Sequence, residues 1–115
     1  MSLTVTTRSV GSVAVAGLTG DLDRAADGPL AELEAQLDGV SGLVLDFTDT
    51  GFIASSGLAL LVRLVRSAAA AGVAVAAVGL DDHYRHVFEI TRLDSVMTVT
   101  DDDEAALAAV SGGTQ

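Results

Sequence analysis

Polar and apolar residues alternate at the start of the chain. Leu3 and Val5, then Val13 and Val15 with Leu18 beyond, follow a two-residue period, and Val10-Gly11-Ser12 lies between the two runs as a turn signal. This pattern predicts an antiparallel hairpin. Gly20-Asp21-Leu22-Asp23 breaks the alternation, and Leu30, Leu33 and Leu37 then recur at helical spacing with Glu32 and Glu34 between them. The helix ends near Gly39, and Pro29 stands where an early helical turn tolerates it. Gly42 to Phe47 is nearly continuous in apolar residues, as in a strand buried on both faces with parallel neighbours. After an expected loop from Thr48 to Ala54, residues Leu58, Leu61, Val62 and Val65 fall at i, i+3, i+4 and i+7, which predicts a long helix reaching about Ala71. Gly72 stops it. Val73–Val78 reads as a second buried strand, His83 to Ile90 as a short helix, and Val96 to Val99 as a short edge strand. Asp101 to Val110 reads as a last helix, with four acidic residues in its first turn where they face the positive end of the dipole.

Strands alternating with helices after a hairpin give an α/β fold: a small mixed β-sheet opened by an antiparallel hairpin and packed with about four helices. The 115-residue length suits one domain. Its ordered core spans about residues 3–110, followed by a frayed tail at 111–115. No internal repeat or linker interrupts it.

Composition narrows the function. Half of the residues are apolar and only Phe47, Phe52, Phe88 and Tyr84 are aromatic, so the core is made of Leu, Val, Ile and Ala. The formal charge of −10 argues against a nucleic-acid partner, because that affinity depends on clustered cations. With no cysteine, disulfides, thiolate catalysis and cysteine-based zinc sites drop out. All six basic residues are arginine, which with the Ala, Gly and Val excess suggests a GC-rich coding bias. The N-terminal residues form no basic and apolar signal segment, and no apolar run reaches the roughly 18 residues of a membrane span. A bacterial cytoplasmic protein with no membrane partner is expected.

Catalytic and cofactor motifs are lacking. His83 and His86 stand at i, i+3 without a third ligand at a metal-site spacing, so they read as a solvated helix face with Tyr84 and Arg85. There is no lysine, hence no P-loop, and no Gly-x-Ser-x-Gly elbow precedes the serine pair. No cofactor or metal is expected, and the chain reads as a non-enzyme. Asp21 and Asp23 follow one strand, and Asp46 and Asp49 another. They either line an acidic pocket at the carboxyl ends of the strands or cap nearby amides.

The serine pair Ser55-Ser56, followed by Gly57, stands at the start of the long helix. Either serine suits an N-cap, and the same helix start also suits a phosphoryl group carried on a serine hydroxyl. Here the chain resembles a family. Gly-Asp-Leu-Asp at 20–23, Leu-Val-Leu-Asp-Phe-Thr at 43–48, Gly-Phe-Ile-Ala-Ser-Ser-Gly-Leu at 51–58, Val-Gly-Leu at 78–80 and Val-Phe-Glu-Ile-Thr-Arg-Leu at 87–93 resemble, in order and spacing, the STAS domain of bacterial anti-sigma factor antagonists.

That resemblance implies a STAS-type fold and a regulatory protein that binds an anti-sigma factor serine kinase and is released by serine phosphorylation. It implies Ser55 as the acceptor, with Ser56 as the alternative site, the cap or a neighbouring hydroxyl. Asp23 and Asp46 fall on acidic positions of the family pattern, with Asp21 as a further supporting carboxylate. One departure concerns the residue before the acceptor, usually Asp in the antagonists and here Ala54; this favours an alternative, a STAS scaffold or adaptor of a sensory or transport assembly without phospho-switching. A small-molecule sensor using the acidic pocket is a third possibility. On the long helix, Leu60 and Leu64 lie outside the expected core stripe, with Arg63 and Arg66 beside them. They mark either a docking face or a helix buried on two sides. The expected partner surface comprises Asp23, Ser55, Ser56, Gly57, Ala59, Leu60 and Arg63.

Overall fold

The computed structural model describes residues 2–111. The hairpin forms as the alternation predicts. β1 (Thr4–Val10) pairs antiparallel with β2 (Val13–Leu22), from Thr4 opposite Thr19 to Val10 opposite Val13. β3 (Gly42–Asp46) lies parallel to β2, β5 (Ala74–Val78) parallel to β3, and the short β6 (Thr98–Val99) parallel to β5. The strand order is β1-β2-β3-β5-β6, with β4 pairing β2 off this path. Helices α1 (Asp27–Ala35) and α2 (Ser55–Ala70) supply the crossovers that parallel neighbours require. α3 (Asp82–Ile90) and α4 (Asp103–Ser111) follow β5 and β6.

The central strand explains the layers. Leu43, Val44 and Leu45 are all within 1% of full burial, so β3 has no solvent face, and successive side chains point to opposite sides. One side carries the larger core, where Leu43 and Leu45 join Leu18, Leu33, Leu61, Leu64, Val65 and Phe88. Phe47 meets Phe88 edge-on at 5.8 Å between ring centroids. On the other side Val13, Val15, Val44, Ala76 and Val78 pack beneath Ala106 and Val110 of α4.

Three local expectations change, and one open alternative closes. The segment 48–54 is not simply a loop: Thr50–Ile53 forms β4, parallel to the end of β2, with a register shift between Gly20 and Leu22. Gly51 and an outward Phe52 hide the alternation that would have announced it. Leu64, outside the expected core stripe, is a core residue, which for it bears out the second of the two readings offered, since α2 is covered by α1 as well as by the sheet. The last helix starts at Asp103, two residues later than predicted, since the Asp102 carboxylate accepts from the Ala105 N–H and Asp101 pairs with Arg85. Ser111, expected in the tail, closes that helix, and residues 112–115 lie outside the described residues.

Candidate functional site

The segment that leads into α2 is held by both main-chain and side-chain groups. Within β4, the Thr50 hydroxyl donates to the Leu18 carbonyl at 2.8 Å and the Phe52 N–H donates to Asp21 Oδ1 at 2.9 Å. The Ile53 N–H donates to the Tyr84 hydroxyl at 3.0 Å, and the Ala54 N–H to the Leu22 carbonyl at 2.8 Å. Tyr84 is therefore not on a solvated face as its neighbours suggested; half-buried against the core, it ties α3 to β4. His83 lies edge-on to it, and His86 stays exposed with Nδ1 3.6 Å from Glu89.

Gly57 sets how close the helix start comes to β2. A Cβ there would lie 2.1 Å from the Leu22 carbonyl oxygen, so no other residue fits without moving the backbone. The site departs here from the expected partner surface: Gly57 is buried and contributes packing rather than contact. Gly79 does the same work at the end of β5. Its φ of +87° is left-handed, and a Cβ would lie 2.5 Å from the Thr48 nitrogen.

The cap expectation is corrected. Neither serine caps α2: the N-cap is Ala54, extended at φ −81° and ψ 164°, with no side-chain hydrogen bond. Its carbonyl accepts the first helical bond from Leu58 at 2.9 Å. Ser55 is thus the first helical residue and is exposed, with a hydroxyl that bonds to none of the described residues. Ser56 is half-buried and lines an open groove of about 300 Å3 with Arg24, Asp27, Ala59, Leu60 and Arg63. Three of those residues, Ala59, Leu60 and Arg63, were expected from the sequence to form one surface with the serines. Arg24 and Asp27 were not, because they come from the 3-10 turn Arg24–Ala26 and the start of α1, and no local pattern links them to α2. Arg63 donates to Asp27 at 2.8 Å across that groove.

The four carboxylates do not converge on one acidic pocket. Asp23 accepts from the Ala25 N–H at 3.0 Å and caps the 3-10 turn. Asp21 accepts from Phe52, and that N–H holds its carboxyl below the usual carboxylate range. Asp46 follows Leu45 on β3 and so turns to the opposite side of the sheet, where it accepts from the Thr48 N–H and hydroxyl. With Asp49 it lines a separate hollow of about 280 Å3 alongside Thr6, Arg8 and Thr19. Asp23 acts as a cap, Asp21 ties β2 to β4, and Asp46 supports the loop ahead of β4 rather than the serines.

A family model described as "Mlab, STAS domain" matches residues 5–100. No curated protein sequence matches the chain significantly. Among solved structures, an anti-sigma factor antagonist from Mycobacterium paratuberculosis is similar at 24% identity and a TM-score of 0.75, covering 95% of this chain and 94% of that one. The phosphorylated form of the Bacillus cell fate determinant SpoIIAA is similar at 24% identity and a TM-score of 0.62, covering 89% and 96%. A sulfate transporter family protein from Wolinella succinogenes is similar at 15% identity and a TM-score of 0.76, covering 88% and 86%. At these identities the structures establish a shared fold.

Proposed function

The chain belongs to the STAS domain family, and from that premise we propose that it is a non-enzymatic anti-sigma factor antagonist, acting in the cytoplasm as one domain. It binds an anti-sigma factor that is also a serine kinase, and transfer of a phosphoryl group to Ser55 ends the complex. The observation that carries this reading is the position of Ser55: first in α2, exposed, with its hydroxyl unbonded among the described residues and next to a residue that lines an apolar groove. Phe52, three residues ahead, is 63% exposed and adds apolar surface at the same end of the helix.

The physics of the switch is local. A phosphoserine brings about −1.5 to −2 charges. At the first turn of a helix that charge is tolerated by the domain itself, since unpaired N–H groups and the dipole face it. A partner docked over the same turn meets a new, strongly hydrated anion in its interface, and the complex opens. Ser56, Ala59, Leu60 and Arg63 provide the contact surface in this reading, and Asp23 supports it by fixing the 3-10 turn that carries Arg24.

The test is to incubate the protein with ATP and the serine-kinase anti-sigma factors of its genome, then read intact mass and map the site. One added phosphoryl group on Ser55, absent from Ser55→Ala, is expected. Phosphate on Ser56 keeps the function and moves the site; no binding and no modification by any of these kinases sinks the proposal.

A second reading, an adaptor in a sensory or transport assembly without phospho-switching, is favoured by Ala54 in place of the usual Asp. Similarity to the Wolinella transporter-family protein also supports it. In that reading the groove still docks a partner, but ATP and a kinase change nothing.

A further inference from the structure

The groove beside α2 has a charge opposite to that of the molecule that carries it. Its apolar lining comes from Ala59 and Leu60, and Arg24 and Arg63 line it beside them. Its one carboxylate, Asp27, is already engaged by Arg63, with both side chains more than 60% exposed. Arg66, also exposed, lies one turn further on the same helix face. Two of the six basic residues of a chain with net charge −10 therefore line one small apolar groove, against a single carboxylate. The molecule as a whole carries a negative charge, whereas the charged residues that line this groove sum to a positive one.

From this arrangement we infer that the groove receives an acidic segment of the partner protein, with a leucine-sized side chain flanked by carboxylates. The apolar side chain covers Ala59 and Leu60. The carboxylates pair with Arg24 and Arg63, and Arg63 shifts from Asp27 to its new partner at small cost, because the exposed Arg63–Asp27 contact is weak. A basic segment fits elsewhere: it is drawn to the acidic surface at large and opposed at this rim. The inference rests on the proposed function for the partner being a protein, and it names the chemistry of that partner's docking segment.

The probes are two synthetic peptides added at millimolar concentration to the full chain and followed by amide chemical shifts. One is a blocked Glu-Glu-Leu-Glu-Glu, the other its lysine counterpart. The acidic peptide is expected to shift the amides of Arg24, Ser56, Ala59, Leu60 and Arg63 saturably. Reversing one rim charge, in Arg63→Glu or in Arg24→Glu, removes an attraction and adds a repulsion and so weakens that binding about tenfold. Arg8→Glu, in the hollow that Asp46 and Asp49 line on β1–β3, leaves it unchanged. Silence of these amides towards the acidic peptide overturns the inference, as does equal binding of the lysine peptide in the groove or wild-type affinity in both rim variants. If the acidic peptide binds there while no serine-kinase anti-sigma factor is captured, this inference stands and the proposed function falls. If a kinase is captured while the acidic peptide is silent, the reverse holds.

Discussion

Replacing Ala54 with Asp should stabilise this domain. Ala54 is the N-cap of α2, and its backbone already has the extended conformation that capping residues adopt. What is missing is a side-chain acceptor: the N–H groups of Ser55, Ser56 and Gly57 bond to none of the described residues. An Asp carboxylate at position 54 accepts from the second or third of them, as Asp81 does from Tyr84 at the start of α3 at 2.9 Å. A capping side chain in place of Ala contributes about 1 kcal/mol, and a negative charge at a helix start adds about 0.3–1 kcal/mol. For a chain of this length about 1 kcal/mol moves the melting temperature by roughly 4 °C. The assay is reversible urea unfolding of wild type, Ala54→Asp and Ala54→Asn at neutral pH, repeated at acid pH. Asn should deliver the cap without the charge, and so most of the gain. The Asp carboxylate, hydrogen-bonded only when folded, has a lowered folded pKa. Its contribution is therefore present above the unfolded value of about 3.9 and is lost as the pH falls through the folded one. Equal stability of all three proteins at neutral pH would refute the reasoning, because it would mean that the helix start gains nothing from an acceptor.

Leu60→Asp, at a half-buried side chain that also packs against the core, should lose about 1–1.5 kcal/mol of unfolding free energy and abolish partner capture, whereas Leu64→Ala, at a site only 2% exposed, should lose about 2–5 kcal/mol in the same urea titration. Gly57→Ala forces a Cβ against the Leu22 carbonyl and should destabilise by about 1–3 kcal/mol; a melting temperature equal to that of wild type would show that the helix start is free to retreat. Asp21→Asn should flatten the acid limb of stability. The Asp21 carboxyl titrates lower in the folded protein, so its contribution is present above about pH 4 and disappears as the pH falls below that. An unchanged acid limb in Asp21→Asn would place the cause on other carboxylates.

The elements that were legible in the sequence are those whose burial leaves a period. The hairpin alternates, the run from Gly42 to Leu45 carries no polar side chain because both faces are covered, and α2 repeats its leucines and valines at helical spacing. β4 left no such mark, because its strand character lies in main-chain pairing to β2 while Gly51 and Phe52 face outward. Leu64 fell outside the expected stripe for a related reason: a helix covered from two sides buries a stripe wider than one face, and a single-stripe template leaves the excess undecided. Four of the six groove residues were legible, namely those that α2 itself supplies. Arg24 and Asp27 are more than thirty positions away from Arg63, and only the packing of α1 on α2 joins them.

The corrected cap changes what Ala54 means for the proposed switch. If a serine had capped α2, its hydroxyl would face the backbone and phosphorylation would first have to break the cap. With Ala54 at the N-cap, the hydroxyl of Ser55 is spared that role, and the first N–H groups of the helix have no carboxylate competing for them. A phosphoryl group on Ser55 therefore meets donors that an Asp at position 54 would already occupy, and it meets no neighbouring negative charge from that position. If Ser55 is the acceptor of the proposed kinase, Ala54 deprives that kinase of a carboxylate beside it and gives the phosphorylated helix start more to gain. Under the proposed function, Ala54 therefore acts on the two sides of the switch in opposite directions: it should weaken recognition before transfer and let the domain accommodate the phosphorylated form better. In Ala54→Asp a kinase that acts on Ser55 should work faster while the phosphate stabilises the fold less, and that opposition separates a modified switch from an adaptor that has none.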